Sequence, residues 1–352
     1  MTEYRNILVY AMVNLGDVVL TTSAIALLKE IYPDARITML SRPIVREVIE
    51  RNPVIDDVIF FDYKAKQNSM GRMWAMVREL RARKFDLAIS FDRKLRPALL
   101  CLFAGIPVRV GPSRVFEDKP SRVTWLYTHT VPIAHDLENT LQAETYQEII
   151  RGFTGAQGHG RPVLPAPSTA ECAKAATILS SAGTRHKIGL CVKGTFGLKT
   201  WPKAYFAEVV RALHARYDAA FYLTGAPGDY AYAEEVIDAI GLPVENLCGK
   251  TNLMELAALY AQLDLLVTVD TGGAHIAAVT GVPMVVMFGC TSPRRWHPIS
   301  EHARAFTSNE PCCPCTYRET ECPSYPQPNC LYHVLPAVVT EACISYLEYD
   351  AE

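Results

Sequence analysis

Asp270-Thr271-Gly272-Gly273-Ala274-His275 is the stretch on which the reading of this chain turns. Before it, Leu263 to Val269 is a mostly apolar run of strand length, and after it Ile276 to Thr280 opens an apolar helical pattern. A buried strand, a glycine turn and a helix start in succession leave backbone N–H groups unpaired at the positive end of a helix, where phosphate is attracted. The ligand expected at this turn is phosphorylated.

The same strand, loop and helix order repeats along the chain. In the first half, strands are expected at Asn6–Val13, Arg36–Leu40, Val58–Phe61 and Leu87–Phe91, with helices at Val18–Ile31, Ile44–Arg51 and Met70–Arg83. In the second half, strands are expected at Lys187–Val192, Ala219–Thr224, Leu263–Val269 and Met284–Phe288. The helices between and around them are Ala170–Ser181, Tyr205–Arg216, Tyr230–Ile240, Leu253–Gln262 and Ala274–Thr280. Alternation of this kind builds parallel sheets flanked by helices, so the fold class is α/β with two doubly wound units. A stretch rich in glycine and proline, Gly152 to Pro167, separates them and reads as a linker. The expected domains are 1–160, 161–334 with a cysteine-rich segment at 312–330, and a last helix within 335–352 that can pack back across the cleft.

Composition narrows the function classes. With 352 residues and 49% hydrophobic content the chain can bury two cores, and its formal charge of −2 excludes a globally basic nucleic-acid binder. The apolar stretch Ile7–Val13 is cut by Asp17 and followed by no small-residue cleavage site, and no apolar run reaches bilayer-spanning length. A cytoplasmic location is expected. The balance hides an asymmetry: Phe61 to Arg122 holds 14 Lys and Arg against 6 Asp and Glu, a surplus of +8. Arg78, Arg81, Arg83 and Lys84 read equally well as the solvated face of a helix. Lys64, Lys66, Arg93, Lys94, Arg96, Arg114, Lys119 and Arg122 fall in expected loops, where they can grip a multiply anionic acceptor.

Four loops carry candidate chemistry. Asn14-Leu15-Gly16-Asp17 lies between the first strand and helix, where α/β sheets place ligand loops. Asp17 there is either a helix cap or a general base that takes a proton from an attacking hydroxyl. The loop from Lys193 to Pro202 offers glycines at 194 and 197 that loosen it, the hydroxyl of Thr195 and the cation of Lys199. These parts hold a diphosphate and stabilise its departure, although Lys199 also reads as an ordinary surface lysine. Gly225 to Asp229 closes another strand, and Asp229 is either a plain turn residue or an acceptor for sugar hydroxyls. His275, in the first turn of its helix, either donates to a phosphate oxygen or is structural.

Taken together, Gly-Asp-Val-Val-Leu at 16–20, Lys-Thr-Trp-Pro at 199–202 and Asp-Thr-Gly-Gly-Ala-His at 270–275 resemble the ADP-heptose:lipopolysaccharide heptosyltransferases, glycosyltransferase family 9. Cys-Cys-Pro-Cys at 312–315 with Arg318, Cys322-Pro323 and Cys330-Leu331 is most similar to the heptosyltransferase II branch. The resemblance covers nearly the whole chain, in order. It implies a GT-B architecture, two Rossmann-like domains facing a central cleft, with donor bound by the C-terminal one and acceptor by the N-terminal one. It also implies inverting transfer that needs neither metal nor cofactor. On this resemblance Asp17 is the base, and Thr195 and Lys199 hold the pyrophosphate. Asp270, Thr271, Gly272 and His275 contact heptose and diphosphate, Asp229 serves the nucleoside and Thr251 approaches the adenine. The implied partners are ADP-heptose and an anionic lipopolysaccharide core, with Lys64, Arg93, Arg96 and Arg122 on the acceptor side. No nucleic acid is involved, and any membrane contact is peripheral, at the inner face of the inner membrane. One departure stands out: Gly194 occupies a position where heptosyltransferase I has a second threonine.

Eleven cysteines in a reducing compartment do not make a disulfide framework. Cys312, Cys315, Cys322 and Cys330 have the spacing of a structural tetrathiolate metal site, with Cys313 spare; a metal-free loop is the alternative. Other functions fit the same fold: transfer of another sugar, protein O-heptosylation, sugar-nucleotide epimerisation, or a non-catalytic nucleotide-binding or metal-linked assembly module. Gly-x-Gly-x-x-Gly is absent after the first strand, which disfavours an NAD dehydrogenase.

Overall fold

A computed structural model of the chain describes residues 3–62, 70–114, 120–183, 185–315 and 321–349. The chain divides into two compact units, Met1–Ala166 and Pro167–Glu352.

The first unit runs β1 (Asn6–Tyr10), α1 (Leu15–Ile31), β2 (Arg36–Ser41), α2 (Arg46–Ile49), β3 (Asp57–Phe60), α3 (Met70–Ala82), β4 (Leu87–Ser90), α4 (Leu95–Phe103), β5 (Val108–Pro112), β6 (His129–Val131) and α5 (Gln142–Thr154). Its six strands are parallel in the order β3-β2-β1-β4-β5-β6. The chain winds outward from β1 on one side and from β4 on the other, so the direction of winding reverses between β1 and β4. Ile7, Leu8 and Val9 of β1 are completely buried, as a central strand covered on both faces requires.

The second unit runs α6 (Thr169–Leu179), β7 (His186–Cys191), α7 (Lys203–Arg216), β8 (Ala219–Leu223), α8 (Tyr230–Ile240), β9 (Val244–Asn246), α9 (Leu253–Tyr260), β10 (Leu265–Val269), α10 (Gly272–Thr280), β11 (Met284–Met287), α11 (Pro293–Trp296), β12 (Ala303–Phe306), α12 (Asn329–Tyr332) and α13 (Pro336–Tyr349). This sheet is again six-stranded and parallel, ordered β12-β11-β10-β7-β8-β9, with its reversal between β7 and β10. Its core gathers Ile188, Leu190, Phe206, Leu213, Val267 and Val285, and closes over the buried Trp201, whose indole N–H donates to the Val334 carbonyl at 3.0 Å. The last helix, α13, places Val339, Ala342, Cys343 and Leu347 in this same core.

The stretch expected to be a linker is bound to the first unit. Gly152 to Thr154 finish α5, and beyond them Gly160 N–H donates to Gln147 Oε1 at 2.7 Å and Val163 N–H to Thr22 Oγ1 at 2.8 Å. A Cβ on Gly160 would stand 2.0 Å from the Ser23 carbonyl oxygen, so this glycine permits a close approach to α1 rather than a flexible tether.

Candidate active site

Parallel α/β sheets bind ligands beyond the carboxyl ends of their strands, at the point where winding reverses. In the second unit that point lies between β7 and β10, and the loops that leave these two strands meet there. Lys199 Nζ stands 2.6 Å from Asp270 Oδ2, which also accepts a 2.6 Å hydrogen bond from Thr291 Oγ1 in the loop after β11. Asp270 is 5% exposed. Three consecutive loops are therefore tied to one buried carboxylate, and its charge is balanced by a lysine and a hydroxyl donor.

Asp270 itself is fixed by its backbone, whose N–H donates to the Met287 carbonyl at 3.1 Å. Thr271 is the extended residue that precedes α10, and its side chain does not cap the helix. Gly272 and Gly273, both half-buried, form the first residues of α10. His275 is buried in that first turn, where Nδ1 finds no hydrogen-bond partner among the described residues, and burial pushes its pKa down to about 4. It is therefore neutral near pH 7, able to present a hydrogen bond but not a full charge.

The loop after β7 is tighter than its glycines imply. Gly194 N–H donates to Thr200 Oγ1 at 3.2 Å, and a Cβ on Gly194 would meet Lys199 Cβ at 2.4 Å and the Lys199 carbonyl oxygen at 2.6 Å. Glycine at 194 lets the loop fold flat under Lys199. Thr195 is exposed at the crest of this loop. Lys193, which sequence reasoning left without a role, reaches Asp229 Oδ1 at 3.1 Å and lies 5.7 Å from the Tyr232 ring. Asp229 Oδ2 accepts the Ala226 N–H at 3.0 Å, so it is a turn residue and an ion-pair partner at once. Thr251 is half-buried between β9 and α9, beside Asn252, which caps α9 through the Met254 and Glu255 N–H groups.

These residues share one sheet edge in a definite order. Reading along the carboxyl ends from β9, the edge presents Thr251, then Asp229 after β8, Thr195 and Lys199 after β7, and Asp270 to His275 after β10. Thr291 follows after β11.

In the first unit the reversal point lies between β1 and β4. Asp17 sits in the first turn of α1, after Asn14 at the N-cap position, whose side chain makes no capping hydrogen bond. The Asp17 carboxylate accepts the hydroxyl of Tyr146, a fully buried residue of α5, at 3.1 Å. Beyond β4, Asp92 is 3% exposed and burial raises its pKa, while Lys94 N–H donates to Oδ1 at 3.1 Å. Arg93 is half-buried with Nε lacking a partner among the described residues, and Arg122 is exposed in the connection between β5 and β6. Arg96 is not in a loop as expected; it is the second residue of α4. Arg114 donates to the Ile133 carbonyl at 2.6 Å and so serves the unit's own packing. Lys64, with Lys66 and Lys119, lies outside the described residues.

The cysteine segment gathers differently from its spacing. Cys313, expected to be spare, packs against the core that contains Cys330, and Cys315 N–H donates to the Cys290 carbonyl at 2.8 Å. Among the described residues no group of three or more His, Cys, Asp or Glu is arranged to hold a metal.

Against known families, residues 73–325 match the profile of glycosyltransferase family 9 (heptosyltransferase). The chain belongs to glycosyltransferase family 9. As a member of this family it is a glycosyltransferase enzyme. The chain is 28% identical to an Escherichia coli lipopolysaccharide heptosyltransferase 3 over 94% of its own length and 96% of that protein's. It is 26% identical to lipopolysaccharide heptosyltransferase 2 of Escherichia coli K12, over 82% and 84%. Among solved structures, a family 9 glycosyltransferase from Veillonella parvula matches with TM-score 0.85 at 23% identity, covering 99% of both chains. The structure of Escherichia coli ADP-heptose lps heptosyltransferase II matches with TM-score 0.79 at 24% identity, over 99% and 100%. The family 9 fold, a pair of Rossmann-like units, is the one the sequence pattern and the resemblance imply.

Proposed function

We propose that this enzyme transfers heptose from ADP-heptose to an inner-core lipopolysaccharide acceptor, with inversion and with Asp17 as the general base. One observation carries the donor half of the reading. The order of residues along the second sheet's edge, Thr251, Asp229, Thr195 with Lys199, then Asp270 with His275, is the order of the parts of a nucleotide diphosphate sugar: base, ribose, diphosphate, sugar. Neighbouring strands are about 4.8 Å apart, so four successive loops give an extended ligand a separate partner for each part.

The chemistry assigned to each residue follows from its setting. Lys199, held in place by Asp270, supplies positive charge where the leaving diphosphate gains negative charge, and the N–H groups that open α10 add to it. His275 is neutral and half of a buried helix turn, suited to a hydrogen bond with sugar or phosphate. Asp17, oriented by Tyr146, accepts the proton of the attacking hydroxyl. Arg93, Arg96 and Arg122 supply cations for a phosphorylated acceptor, and guanidinium groups suit that task by their fork geometry. Residue 64 adds a further cation to this group in the sequence.

Thermal unfolding in the presence of ADP, UDP, ADP-heptose and UDP-sugars tests the donor, because a ligand that binds only the folded state raises the melting temperature. ADP and ADP-heptose are expected to shift it and UDP-sugars to leave it unmoved. A larger shift with a UDP-sugar overturns the donor assignment.

A further inference from the structure

On the first unit, α3 and α4 carry an apolar surface beside Arg96, the one α4 residue assigned to the acceptor above. The outward stripe of α4 carries Leu95, Leu99 and Leu102, spaced i, i+4, i+7, and Phe103 adjoins it. Leu95 and Phe103 are exposed. Two tryptophans flank this helix. Trp74 of α3 lies 5.6 Å from Phe103, ring to ring, and is 49% exposed. On the other side, Leu126 packs with Leu99 and Leu102, and its neighbour Trp125 is 76% exposed.

Charge surrounds the patch. Met70, Trp74, Arg78 and Arg81 follow one stripe of α3 at i, i+4, i+8 and i+11, and the Arg81 guanidinium donates to the Phe103 carbonyl at 2.5 Å. Between Met70 and Phe103 there are 8 Lys and Arg against 3 Asp and Glu, a surplus of +5. Tryptophan, leucine and phenylalanine amid arginine is the composition of a surface that lies in the headgroup region of a bilayer, where indole rings sit at the boundary and guanidinium groups meet anionic lipid. Among the described residues no helix is long and apolar enough to cross a membrane.

We infer that α4, with Trp74 and Trp125 on its flanks, docks this enzyme on a bilayer surface bearing anionic phospholipid. A bilayer is favoured over a protein partner because two exposed tryptophans flank a helix whose surroundings carry a net positive charge. α4 starts beyond the carboxyl end of β4, next to β1, so Leu95 shares the sheet edge that carries Asp17. The inference rests on surface chemistry and stands whether or not the donor is ADP-heptose.

The test is cosedimentation of the full chain with vesicles of equal parts phosphatidylglycerol and phosphatidylcholine, and with phosphatidylcholine alone, over a range of salt. Wild type is expected to bind the anionic vesicles, release from them as salt rises, and ignore the neutral ones. The double variant Trp74→Ser with Trp125→Ser should lose about tenfold or more in vesicle affinity, and Arg72→Gln with Arg78→Gln should flatten the salt dependence. Unchanged circular dichroism and ADP affinity show that these variants fold. Absence of wild-type binding, or equal binding by the tryptophan variant, overturns the proposal. So does a concentration-dependent dimer that the tryptophan variant abolishes, since the patch would then be a protein interface. Vesicle binding together with UDP-sugar preference would keep the surface and remove the donor reading.

Discussion

Lys199 Nζ and Asp270 Oδ2 lie 2.6 Å apart, joining the loops after β7 and β10 at the point where the second sheet reverses its winding. Their side chains are 17% and 6% exposed, so the pair is largely withdrawn from water. On the proposed function, such a lysine meets a diphosphate without the entropy loss of ordering a free side chain on binding. Lys199→Ala is expected to weaken ADP binding by about tenfold to a hundredfold, the range for a charge-assisted hydrogen bond. Isothermal titration calorimetry with ADP measures it, and an unaltered affinity removes Lys199 from the diphosphate site.

Thr291 holds the other side of that carboxylate. Thr291→Val keeps the shape and deletes the 2.6 Å bond to Asp270, and should cost roughly 1.5–3 kcal/mol of stability in urea unfolding at pH 7. Thr291→Ser keeps the hydroxyl and should remain near wild type. Equal losses in both variants would show that the methyl group, not the hydrogen bond, matters.

Gly194→Ala should distort the loop that carries Lys199, because the added Cβ meets backbone as well as side chain at under 3 Å. The expected result is weaker ADP binding with little change in overall secondary structure. A variant that binds ADP as wild type does would mean that the loop shifts without consequence.

His275 gives a pH dependence with a definite sign. Its pKa is depressed to about 4 in the folded chain, against about 6.5 when exposed, so the unfolded state takes up the proton first as pH falls. The stability tied to neutral His275 is complete above about pH 6.5 and drains away as the pH drops toward 4, by on the order of 3 kcal/mol. His275→Gln should flatten the fall between those pH values in urea titrations. Parallel curves for variant and wild type would contradict the burial of His275 as a neutral ring.

Much of this was legible in the sequence, and the reasons for the gaps are physical. β1, β7, β8, β10 and β11 are central or nearly central strands with apolar runs, and each is followed by a loop and helix, so their pattern is strong. β6, β9 and β12 are sheet edges of three or four residues, His-Thr-Val, Val-Glu-Asn and Ala-Arg-Ala-Phe, too short and too polar to register as apolar runs. α4 is short and mostly apolar, with Pro97 as its third residue, so it reads as a plain apolar run and not as a helix. The loops that meet at the two reversal points were legible, but their internal partners were not: Tyr146 is 129 positions from Asp17, and Thr291 is 21 from Asp270. No local spacing rule reaches such pairs. The cysteine spacing left a metal site and a metal-free loop both open for the same reason, since it does not show that Cys313 packs against the core that contains Cys330.

Tyr146 separates orientation from chemistry at the base. Tyr146→Phe removes the 3.1 Å bond to Asp17 while leaving a ring in the core, and should lower kcat by less than about tenfold with donor KM unmoved. A loss as large as that from removing the carboxylate would mean that the tyrosine itself handles the proton.

Single-turnover transfer by Asp17→Asn, with ADP affinity measured on the same preparation, tests the central claim most directly. Because a general base acts only as the transition state forms, turnover should fall by about a hundredfold or more while ADP binds within twofold of wild type. Turnover close to wild type would contradict the assignment of Asp17 as the base.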